Sequence, residues 1–112
     1  MRKRSVAVIV VAVVAAFAAL PVFAATPKLQ GTVGPGFTIS MKTKPTKAGK
    51  YTLVVSDKSN IHNFHLSGPG VNVKTSVGFV GTKSFTITLK KGKYTFVCDP
   101  HLTVMKGSFT IK

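Results

Sequence analysis

The chain has 112 residues, enough for one domain and too few for two. Sixteen Lys and Arg face two Asp and no Glu, a net charge of +14, so the fitting partner is acidic or anionic. Arginine is confined to residues 2 and 4 and no recognition element is visible, which argues against sequence-specific nucleic-acid binding.

In chain order, Met1 to Arg4 is a positive n-region and Ser5 to Leu20 an almost unbroken apolar run. Pro21 breaks it, and Val22-Phe23-Ala24 offers small residues for cleavage. Residues 1–24 therefore read as a secretory signal peptide, and 25–112 as the exported domain, periplasmic or extracellular. A retained anchor is the competing reading, but the run is short for a bilayer span. After cleavage no stable membrane insertion is expected, and a monomer is.

The remainder carries no helix-period segment. Thr26 to Thr32 is a first strand or a loose arm. Phe37 to Met41 alternates as a strand, and Lys42 to Lys50 is a polar connection broken by Pro45 and Gly49. Tyr51 to Ser56 is a strand, Asp57 to Asn60 a turn, and Ile61 to Leu66 a strand closed by Gly68-Pro69-Gly70. Val71 to Val77 is an irregular edge. Ser84 to Leu89 alternates, Lys90-Lys91-Gly92 turns, and Lys93 to Cys98 and Lys106 to Lys112 complete the set. The fold class is all-β: a Greek-key β-sandwich of about seven to eight strands.

Strand alternation puts His62 on one face with Phe64 and Leu66, and Cys98 on one face with Tyr94 and Phe96. If these aromatics are core, His62 and Cys98 point inward at strand ends. His65 falls on the opposite face and reads as structural or surface. Cys98 is the only cysteine, so no internal disulfide forms, and a free thiol in an exported protein is anomalous unless a metal holds it. Cys98, His101 and Met105 lie in one loop, and His62 supplies a second imidazole. Two His, one Cys and a weak axial Met form the donor set of type-1 copper. Zinc would suit His62, Cys98 and His101, but Met105 is a poor zinc ligand. A catalytic Cys–His pair lacks an orienting third group, so no enzyme is expected.

The segment Gly92 to His101 (GKYTFVCDPH), with Met105 and the strand after it, resembles the plastocyanin-like branch of the cupredoxins. Ile61-His62-Asn63-Phe64 resembles that family's first-histidine segment. The resemblance implies one copper ion cycling between Cu(I) and Cu(II), with His62, Cys98, His101 and Met105 as its ligands. It further implies that Asn63 braces the ligand loops and that His101 is the electron's exit, with Leu102 beside it in an apolar contact surface. Three residues separate His101 from Met105, one fewer than in most plastocyanins, and the acidic docking patch of plant plastocyanins is replaced by lysines. The function implied is a one-electron carrier between exported redox partners, these being acidic proteins. Two alternatives stay open: copper delivery without electron transfer, and a metal-free β-sandwich surface module.

Overall fold

The computed structural model describes residues 25–112, so the expected signal peptide lies outside the described residues. Eight strands follow in order: β1 (Lys28–Val33), β2 (Ile39–Met41), β3 (Gly49–Asp57), β4 (His65–Gly68), β5 (Val71–Lys74), β6 (Gly81–Leu89), β7 (Gly92–Val97) and β8 (Lys106–Ile111). A single turn of 3₁₀ helix, Asp99–His101, lies between β7 and β8. One sheet runs β2-β1-β3-β6 and the other β5-β4-β7-β8. The chain crosses between sheets after β3, β5 and β6, giving the expected β-sandwich.

Alternation writes the core. Leu29 and Val33 of β1, Leu53 and Val55 of β3, Ile87 and Leu89 of β6, Tyr94 and Phe96 of β7, and Phe109 and Ile111 of β8 are buried, while most of their neighbours face water. Two stacked aromatic pairs fill the middle: Phe64 on Phe96, with centroids 5.8 Å apart, and Tyr94 on Phe109 at 5.3 Å. The Tyr94 hydroxyl donates to Pro69 O (2.7 Å) and accepts from Lys90 N (2.9 Å), so the buried ring closes without an orphaned polar group.

Strand directions define two poles. Gly81 pairs with Asp57, and Val97 with Lys106, at one pole; Gly49 pairs with Leu89, and Gly92 with Ile111, at the other. The residues expected to bind metal all gather at the first pole.

Of the two readings of Thr26–Thr32, the structure bears out the first strand: β1 pairs in parallel with β3, Leu29 opposite Leu53, and antiparallel with β2. Two other expectations are corrected. Ile61 to Leu66 is not one strand, because β4 begins only at His65. Phe64 N is taken by the Thr75 hydroxyl (2.9 Å), and Thr75 O accepts from the Asn63 side chain (3.2 Å). Thr75 N still donates to Phe64 O (3.0 Å), but side chains supply the other bonds just where the chain must turn toward the site. Likewise β2 omits Phe37, since Gly34 N donates to Thr38 O (2.9 Å) and closes a turn that lifts Phe37 out of the sheet.

Candidate metal centre

Two stretches of chain converge at the first pole. His62 comes from the connection between β3 and β4; in the connection between β7 and β8, Cys98 follows β7, His101 closes the 3₁₀ turn and Met105 precedes β8. The cysteine loop is self-closing. Cys98 N donates to Met105 O (3.0 Å), His101 N to Cys98 O (3.0 Å) and Met105 N to His101 O (2.9 Å). Pro100 stiffens its first turn. These bonds set the spacing of the loop whatever occupies it.

His62, Cys98 and Met105 are fully buried and His101 is half-buried. The Nδ1 atoms of His62 and His101 stand 3.1 Å apart, and Cys98 Sγ lies 3.7 Å from the first and 3.4 Å from the second. Bonds of about 2.0 Å from nitrogen and about 2.3 Å from sulfur, at trigonal to tetrahedral angles, put such donors roughly 3.3–3.7 Å apart. The two sulfur edges fall in that range and the nitrogen–nitrogen edge, at 3.1 Å, is slightly shorter, so one transition-metal ion fits the triangle with a small outward shift of the two rings. Its softness, two imidazoles with one sulfur, suits copper. These three are the His, Cys and acidic residues that come together as a metal-binding group among the described residues. Met105, buried in the same loop, is the fourth residue the sequence singles out.

Bracing around the triangle is asymmetric. On the cysteine side, Asn63 Nδ2 donates to Asp99 Oδ2 (2.7 Å), and Asp99 N donates to Asn63 Oδ1 (2.8 Å). Asn63 thus ties the His62 segment to the residue after Cys98, as the resemblance implies. His65 extends the tie: its Nδ1 donates to Asp99 Oδ1 (2.9 Å), and its Nε2 lies 2.6 Å from Asn72 Oδ1 on β5. Burial resists ionisation of Asp99. The His65 ring, the Asn63 amide and the Lys74 charge outweigh it and hold the carboxyl below its ordinary value of 3.8.

His62 has no such tie. Its Nε2 is buried without a hydrogen-bond partner, whereas metal-binding histidines usually donate that second N–H. Packing orients the ring instead. A Cβ on Gly34 would stand 3.4 Å from His62 Cδ2. Phe37 meets the His62 ring edge-on at 5.1 Å and the His101 ring at 4.9 Å. Nearby Asp57 is buried, which pushes its carboxyl up; the Ser59 N–H, the Thr75 hydroxyl and the His62 charge act against that. Sequence reasoning missed Phe37, read as a strand residue, and the His65–Asp99 pair. Gly34-Pro35-Gly36 directly before Phe37 was the available signal for the first.

The surface over the site is apolar. Phe37, Ile61, Leu102 and Val104 are all at least half exposed, from 50% to 66%. Phe37, against the His101 ring, and Leu102 and Val104, in the same loop, lie beside the half-buried His101, the ligand candidate nearest solvent.

Residues 38–112 match the family described as copper binding proteins, plastocyanin/azurin family. Among solved structures, a reduced rusticyanin is similar at 22% identity, with a TM-score of 0.55 and 76% of each chain covered. A dithionite-reduced auracyanin from Roseiflexus castenholzii is similar at 18% identity and a TM-score of 0.55, covering 80% of this chain and 99% of its own. At these identities the two structures speak for the fold. No curated protein matches the chain.

Proposed function

As this chain belongs to the plastocyanin/azurin family of copper-binding proteins, we propose that it is a one-electron carrier whose copper is held by His62, Cys98 and His101, with Met105 as axial donor. The observation that carries this reading is the closed triangle of two Nδ1 atoms and one Sγ, with edges of 3.1–3.7 Å, at the buried pole of the sandwich.

Copper, when bound, supplies the one-electron couple. The protein's share is to keep the donors in place through both oxidation states. Imidazole suits both states and thiolate suits the reduced one, so a mixed set is a compromise that needs little rearrangement. The loop bonds of Cys98, His101 and Met105 and the Asn63–Asp99 clamp hold that compromise from outside. Burial of Cys98 and His62 excludes water from the sulfur. The exposed edge of His101, beside Leu102, Val104 and Phe37, is the natural contact for a redox partner, and the lysine-rich chain favours acidic ones. The apolar run before Pro21 supports export, and hence partners outside the cytoplasm.

Colour tests the site. Protein given Cu(II) is expected to show the intense visible band of a copper–thiolate bond, and Cys98→Ser to abolish it while the fold persists. A band that survives in the mutant overturns the assignment. Exchange with a chelator separates carriage from delivery: an electron carrier keeps its copper over many turnovers, and rapid loss favours the delivery reading.

A further inference from the structure

The lysines are unevenly placed along the sandwich. Lys47, Lys50, Lys90, Lys91, Lys93 and Lys112 are exposed, and all cluster at the pole away from the candidate metal centre. Lys50 pairs with Thr88, Lys93 pairs with Thr110, and Lys112 N donates to Thr46 O, so three separate stretches of chain deliver charge to one end. No acid balances them. The sequence has only Asp57 and Asp99, and both sit at the metal pole, bonded to their own neighbours. Lys93 lies about 17 Å along β7 from Cys98, taking five steps of extended chain. That is beyond a Debye length at physiological salt, so these lysines lie too far out to shape contact at His101.

A second observation concerns the same pole. β1 enters from the lysine side and runs toward the metal side, parallel to β3, and Pro27 O accepts from Thr52 N (2.9 Å) near the start of β3. Whatever precedes Ala25 therefore joins the domain on the lysine side. In the sequence that stretch is Arg2-Lys3-Arg4 followed by the apolar run from Ser5 to Leu20.

We propose that the lysine pole docks on an anionic phospholipid bilayer and presents the metal pole to the aqueous side. Ammonium groups gathered on one face attract anionic headgroups additively. The arrangement leaves the apolar rim around His101 free for a protein partner. It works in the same sense whether the leading segment is removed or kept, because the described domain begins, at Ala25, on the lysine side.

Sedimentation with vesicles tests this, using the copper-loaded protein in the form that an exporting host releases. Binding is expected to vesicles of phosphatidylcholine with phosphatidylglycerol, to be much weaker to phosphatidylcholine alone, and to fade as salt rises to about 0.5 M. The variant K47Q/K90Q/K91Q is expected to lower partition on the order of 100-fold. The variant K58Q/K83Q/K106Q removes the same charge from the metal-side half and is expected to cost only a few-fold. All six side chains are exposed, and the visible band checks that both variants retain their site. Equal loss in the two variants overturns the proposal in favour of undirected charge. Equal binding to neutral vesicles overturns it in favour of the apolar segment. Unchanged vesicle binding by K47Q/K90Q/K91Q, with loss of association to an acidic protein, overturns it in favour of a protein partner at this pole. Each result leaves the copper assignment untouched, since that is read from the band.

Discussion

His62 and Cys98 are both fully buried, yet they are held by different means, and the difference predicts different sensitivities. Cys98 sits in a loop whose backbone bonds close on themselves. His62 has an unpartnered Nε2 and depends on the edge of Phe37. An edge-to-face pair contributes about 0.5–1.5 kcal/mol. Phe37→Ala is therefore expected to keep the visible band but to speed copper loss to a chelator roughly 2- to 10-fold, measured by decay of that band. An unchanged rate would mean that Phe37 merely covers the site. Asp99 makes a prediction in pH. Its carboxyl is held below 3.8 in the folded protein, so its ionised form stabilises the fold. That contribution is complete above the unfolded value of 3.8 and disappears as pH falls through the lowered folded value. The melting temperature of the wild type should exceed that of Asp99→Asn at neutral pH, and the gap should close below about pH 3.8. A gap that persists in acid would assign the effect to packing or to the amide's own bonds.

At the scale of elements, close approach between strands and aromatic rings sets narrow tolerances. Gly107 of β8 lies flat against the Phe96 ring, and any Cβ there would overlap it. Phe96 cannot retreat, because it stacks on Phe64, whose far side packs against Gly31. Gly107→Ala is expected to cost about 1–3 kcal/mol, seen as a lower denaturant midpoint with an unchanged slope. Gly36, with open space around its Cβ position, is the control and should tolerate alanine. The same elements show what alternation reveals and where it stops. β3, β6, β7 and β8 were legible, because over part of each strand buried residues recur at every second position, and the inward aromatics of β7 fixed the phase that places Cys98. The stretch from Ile61 to Leu66 also alternates, yet its first half leaves the sheet. Asn63 and Thr75 supply the hydrogen bonds there, and nothing in a period-two pattern shows a side chain substituting for a backbone partner. Burial of His62 followed the expected phase, but burial of Asn63 did not, since only a bent chain can turn both inward. The Cys98, His101 and Met105 positions were legible for a different reason: a loop of local bonds keeps sequence neighbours spatial neighbours. Phe37 and the His65–Asp99 pair were not, because each joins the site across more than twenty residues.

Across the described residues, lysines are denser at one pole and exposed apolar residues gather at the other, and this bears on how a partner arrives. Both acids and the apolar rim lie at the metal pole, while six lysines lie at the other. A high net charge steers acidic partners from a distance, but orientation at contact depends on charges within about 8–10 Å, the screening length near physiological salt. The lysines on the metal side include Lys58, which follows Asp57, Lys74, whose charge reaches Asp99, and Lys106, which pairs with Val97 beside Cys98; of these, Lys58 and Lys106 make no contact with the Asn63–Asp99 clamp and can be changed without disturbing it. Lys90 and Lys91 turn the chain at the far end. Electron transfer from an acidic redox protein, followed by bleaching of the visible band in stopped flow, should therefore slow as salt rises. At low salt, K58Q/K106Q should lower the second-order rate several-fold, whereas K90Q/K91Q, with the same loss of charge, should change it by less than about half that factor. A rate indifferent to salt would remove steering from the account. Equal effects of the two pairs would mean that only net charge matters and that the partner does not dock at His101. Loss confined to K90Q/K91Q would place electron transfer at the lysine pole, which the roughly 17 Å from Lys93 to Cys98 along β7 makes a poor route.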